Sequence, residues 1–106
     1  MTRVVITPRK SENIYGMMVA KELALRKKKS GTLHRSGPKK PGRDKWIHKS
    51  YKGWVGFQRG PGGVVVALVQ SKSPNSETQI LESFVGFLNR HFRGAISAIS
   101  LSYEAE

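Results

Sequence analysis

The chain has 106 residues, enough for one domain and too few for two ordinary ones. Nineteen Lys or Arg against seven Asp or Glu give a net charge of +12, which points to a polyanionic partner, most often nucleic acid. The absence of Cys excludes a disulfide framework, a thiol nucleophile and Cys-based metal sites. The three His (His34, His48, His91) stand at no common metal-ligand spacing, so neither metal nor cofactor is expected. The longest apolar run, Val64–Val69, is six residues, against the roughly 20 of a membrane helix. With no signal-peptide pattern at the start, the expectation is a soluble cytoplasmic protein without a membrane partner.

In chain order, Arg3–Thr7 (RVVIT) is β-branched, is closed by Pro8 and predicts a strand. Ser11 is placed to cap a helix from Glu12, in which Ile14, Met18 and Leu25 share a stripe beside Tyr15, Val19 and Leu23. That helix is expected to end in the Arg26–Lys29 cluster, with Gly31 as its stop. Residues 29–45 hold three Gly and two Pro, with Leu33 as the only aliphatic side chain, and predict a flexible basic loop. Trp46–Arg59 (WIHKSYKGWVGFQR) reads as one strand, RGPGG as a turn, and Gly63–Ser71 as a central strand completing a hairpin. In SPNSETQILESFVGFLNRHFRG, Ser76 and Gln79 form a capping box, with Ser73-Pro74 as a rival start. Ile80, Leu81, Phe84, Val85, Leu88 and Phe92 build the apolar face of that helix, and Gly94 ends it. AISAISLSYE is a last strand, with Ile99, Leu101 and Tyr103 on one face and Ile96 and Ala98 on the other.

The order β-α-loop-β-β-α-β implies a single α+β domain over residues 1–106. Two helices would pack on one face of a four-stranded, mostly antiparallel sheet in ferredoxin-like order. The alternative is an N-terminal helix followed by a three- or four-stranded curved sheet, an arrangement that small endoribonuclease toxins use.

The charge is uneven. Residues 26–52 hold eleven Lys or Arg against Asp44 alone, +10 in 27 residues, while residues 53–106 are neutral. The expected function is therefore non-enzymatic nucleic-acid binding, to DNA or RNA. Phosphate contacts would come from Arg26, Lys27, Lys28, Lys29, Arg35, Lys39, Lys40, Arg43, Lys45, Lys49 and Lys52. As one regular strand, Trp46–Arg59 sets Trp46, His48 and Trp54 on one polar face, rings for bases beside cations for phosphates. Tyr51 would lie on the opposite face.

Two rival readings use the same segment. A metal-independent endoribonuclease would take His34, His48, Tyr51 and Arg59 for acid–base work and charge stabilisation. A protein-interaction subunit would fold the basic loop against an acidic partner or within a larger ribonucleoprotein assembly; an exposed sheet edge or apolar open face would also allow a homodimer. GPGG at Gly60–Gly63 lacks the Lys-Ser/Thr of a phosphate loop and leads into a strand, so it reads as a turn. GPKKPGRDK matches a minor-groove arm in composition alone.

Overall fold

A computed structural model of the chain describes residues 1–36 and 44–104. Its elements are β1 (Thr2–Pro8), α1 (Ile14–Lys27), β2 (Leu33–Ser36), β3 (Lys45–His48), β4 (Trp54–Arg59), β5 (Val65–Gln70), α2 (Pro74–Phe92) and β6 (Ile96–Tyr103). The strands form one antiparallel sheet in the order β2-β3-β4-β5-β1-β6. The α+β class and the two helices are as expected. The sheet has six strands rather than four, so the expected order is not matched exactly: β2 and β3 are added beyond β4 to the expected set β4-β5-β1-β6.

The two extra strands have local causes. Leu33 is buried, and as the one aliphatic side chain of its stretch it anchors β2, which pairs with β3 from Leu33↔His48 to Ser36↔Lys45. Residues 33–36 are thus strand rather than loop; the rest of the expected loop, 37–43, lies outside the described residues. Trp46–Arg59 is two strands because the chain folds back over Lys49–Gly53. Gly53 takes φ 147°, and a Cβ there would collide with the Gln70 carbonyl oxygen and the Ile80 side chain.

Both helices pack on one face. Trp46 and Phe57 share that face through the Trp46↔Val55 register. The Phe57 ring lies 5.0 Å from Tyr15 of α1 and 5.6 Å from Phe84 of α2, and the Trp46 ring lies 5.6 Å from Phe87. Val4, Ile6, Val55, Val65, Ala67 and Val69 complete the sheet's buried side, against Ile14 and Met18 of α1 and Ile80 and Leu88 of α2. β5 alternates between buried and half-buried residues, so its apolar run is covered on one side only.

The helix ends also differ in detail from expectation. Asn13, not Ser11, caps α1, its Oδ1 accepting from the Gly16 N–H at 3.0 Å. Gly16 leaves room for this, since a Cβ would press on the Asn13 side chain. Ser73 caps α2 ahead of Pro74, and the Ser76 N–H donates to its Oγ at 3.3 Å. α1 closes through two reversed bonds, Ser30 N–H to Leu25 O at 2.9 Å and Lys29 N–H to Arg26 O at 3.0 Å. The left-handed residue of this motif is Lys29 (φ 56°), two positions before Gly31. No helix of the described residues is long and apolar enough to cross a membrane.

Candidate nucleic-acid interface

The β3–β4 hairpin divides the expected site between two faces. In a single strand Trp46 and Trp54 would share a side; in a hairpin with Trp46 opposite Val55 and Ile47 opposite Trp54 they cannot. Trp46 is fully buried, its Nε1–H donating to the Tyr15 hydroxyl at 3.2 Å, so its expected place on the open face is corrected. Trp54 stays on the face without helices. There the Lys45 Nζ sits 4.8 Å from the centre of its ring.

The same open face carries Ile47, 44% exposed, together with Gln58 and the half-buried Val66 and Leu68. Gly56 stands between Lys45 and Leu68 in the register, and a Cβ built on it meets nothing within 4 Å. The strand therefore has a gap on its open side, one step along from Trp54. Ile47 reaches Trp54 only through the hairpin, whereas Gly56, two residues on in the same strand, shares its face in any regular strand and was the available signal.

The cations differ in their freedom. Lys27, Lys28 and Lys29 are exposed where α1 ends, and Lys49 and Lys52 are exposed in the β3–β4 turn. The Lys49 N–H donates to the Thr32 carbonyl at 2.9 Å, which draws that turn toward the chain leaving α1. Arg26 is partly engaged, its Nε 3.2 Å from the buried Glu22 carboxylate. Arg35 is held by Asp44 at 3.0 Å, and the same Asp44 oxygen accepts from the Tyr15 hydroxyl at 2.5 Å. The single acid of the basic segment thus clamps the base of the β2–β3 hairpin to α1. Burial, and then the hydrogen bond to Asp44, pushes the Tyr15 phenol above its ordinary pKa. Lys39, Lys40 and Arg43 lie outside the described residues.

Of the side chains that a ribonuclease would need, only His48 and Tyr51 touch, and each has a structural partner. His34 turns to Glu22, with Nδ1 3.1 Å from Oε2, while Glu22 Oε1 is buried without a hydrogen-bond partner. His48 Nδ1 accepts from the Ser50 N–H at 2.9 Å and the Tyr51 N–H at 3.3 Å, so Nε2 carries the proton and donates to Ser83 Oγ at 3.1 Å. Burial, then the Lys49 charge, lowers the His48 pKa below its ordinary 6.5, and the neutral ring serves the turn. The Tyr51 ring lies beside it, tilted by 60°, with ring centres 5.0 Å apart. Arg59 covers the Tyr15 ring at 5.0 Å. It lies five residues along β4 from Trp54, about 17 Å at the usual strand rise.

Among the described residues no group of three or more His, Asp or Glu is placed to hold a metal ion. No family model, curated protein or solved structure matches the chain.

Proposed function

We propose that the chain binds single-stranded nucleic acid on the helix-free face of its sheet, across β3 and β4. The observation that carries this reading is Lys45, from the segment that holds +10 of the net charge, over the Trp54 ring on that face. An aromatic face stacks any base, and the adjacent ammonium meets the phosphate of the same nucleotide. Stacking needs unpaired bases, so single strands are favoured over duplexes. Lys27–Lys29, Lys49 and Lys52 extend the phosphate contacts beyond the stacked base. The described ribonuclease candidates are engaged in ion pairs, turns and ring contacts of the fold, and this reading requires binding without cleavage.

Fluorescence anisotropy with labelled single-stranded DNA and RNA tests this. Trp54→Ala is expected to weaken binding by about tenfold or more, the worth of one stacked base. Gly56→Val fills the gap beside Trp54 with a good strand former and is expected to weaken binding while the fold stays intact. With about six cations engaged, log K should fall against log salt with a slope near −4. A flat salt dependence, tighter binding to duplex than to single strands, or unchanged affinity in Trp54→Ala overturns the reading.

A further inference from the structure

The sheet ends in two unlike edges. β2 is four residues long and contains His34 and Arg35, the short charged edge that discourages further pairing. β6 is eight residues long (ISAISLSY), with no charge and no proline, and no described strand lies beyond it. Its outward backbone N–H and C=O groups form an open template.

The side chains of β6 add to this. Leu101 and Tyr103 stand in register with Val4 and Thr2, hence on the helix side, yet they are 41% and 76% exposed because α2 does not reach over them. At the other end of the strand, Asn89 and Arg93 of α2 and Ile96 and Ile99 line a groove of about 260 Å³.

We infer that β6 pairs antiparallel with the β6 of a second copy of this chain about a two-fold axis. Antiparallel pairing exchanges the strand ends, so Leu101 and Tyr103 of each copy fall beside the groove at Ile96 and Ile99 of the other. The contact is self-complementary, as a two-fold interface must be.

Charge selects this occupant. Residues 53–106 are neutral, and the +10 segment feeds the opposite edge, five strand spacings or about 24 Å away. Two copies joined at β6 therefore hold their cationic edges as far apart as the sheet allows. β6 itself carries no cation for an acidic partner, and Arg93 of the groove lies before its start. A two-fold axis normal to the sheet keeps both Trp54 faces on the same side, giving the dimer two binding platforms on one surface.

Sedimentation equilibrium of the full chain, nuclease-treated and in about 0.5 M salt to remove nucleic-acid bridging, provides the test. A reversible dimer is expected. Leu101→Lys and Tyr103→Lys should each raise its dissociation constant about tenfold or more while circular dichroism stays native. Amide exchange across residues 96–103 of the unmodified chain should slow as concentration rises, which covers the case of a variant that fails to fold. Trp54→Ala should leave the dimer constant unchanged, separating this inference from the nucleic-acid reading. A monomer up to about 1 mM, where even weak specific contacts are populated, overturns the inference. So does a dimer indifferent to both lysines, or one with unaltered exchange at β6.

Discussion

The two faces of the β3–β4 hairpin carry one tryptophan each, eight residues apart in the chain, and their surroundings are opposite. The covered face seals Trp46 among Tyr15, Phe57 and Phe87 and gives its indole N–H a buried partner. The open face leaves Trp54 half-exposed beside an ammonium and a glycine gap. Composition does not separate the two rings. Strand pairing does: it assigns one to cohesion and the other to the surface where a ligand could arrive.

The largest contrast should come from truncating each ring in turn. Trp46→Ala removes a fully buried ring and one partner of Tyr15, and is expected to cost about 3–5 kcal/mol of stability. Trp54→Ala should cost about 1 kcal/mol or less, since one side of its ring meets solvent. Urea denaturation of the two variants measures this directly. Equal losses would mean that the open face is also part of the core, and the distinction between the faces would fail.

Much of the covered face was legible in the sequence. The helical spacing of Ile80, Phe84 and Leu88 states which side must be buried, whereas the continuous apolar run Val65–Val69 suited a strand covered on both faces and is covered on one. Phe87, three residues from Phe84 and seven from Ile80, belongs to the same stripe and packs on the Trp46 ring. The open face was not legible, because its membership depends on where the chain turns back. Gly53 decides that by close approach to the Gln70 carbonyl and Ile80, contacts that exist only once β5 and α2 are in place. β2 was hidden for a similar reason: LHRS has one aliphatic residue and becomes a strand by pairing with β3. The clamp of Asp44 on Arg35 and Tyr15 joins three elements and leaves no local pattern, although Asp44 stood out as the lone acid.

A smaller effect lies at the rim between the faces, where α1 ends. Lys29 holds the left-handed position of the closing motif, a conformation that costs a side-chain-bearing residue about 1–2 kcal/mol and glycine almost nothing. Lys29→Gly is expected to stabilise the fold by up to about 1 kcal/mol, raising Tm by several degrees in a domain of this size. The same change removes one exposed cation and should weaken oligonucleotide binding slightly at low salt. Stability and affinity moving in opposite directions would mark Lys29 as a residue whose charge matters more than its fit. A loss of stability would show that the lysine side chain itself supports the helix end.

The smallest effect concerns His48, which faces α2 and whose pKa burial lowers below its ordinary 6.5. Its Nδ1 accepts two backbone N–H groups of the β3–β4 turn, and both bonds require the unprotonated ring. Because burial and Lys49 lower its pKa in the fold, the unfolded chain takes up this proton more readily than the folded one. The stability that neutral His48 provides is complete above its ordinary 6.5 and is lost as pH falls through the lower folded value. His91 is shifted the same way, by burial and by Lys21 and Arg90. Thermal melts between about pH 7.5 and 5.5 should therefore show Tm declining with acid. His48→Asn keeps an acceptor for the turn without the titration, and should flatten the decline by the His48 share, leaving that of His91. If acid instead raised Tm, His48 would be protonated in the fold and available to phosphate, and it would belong with Lys45 and Trp54 rather than with the covered side.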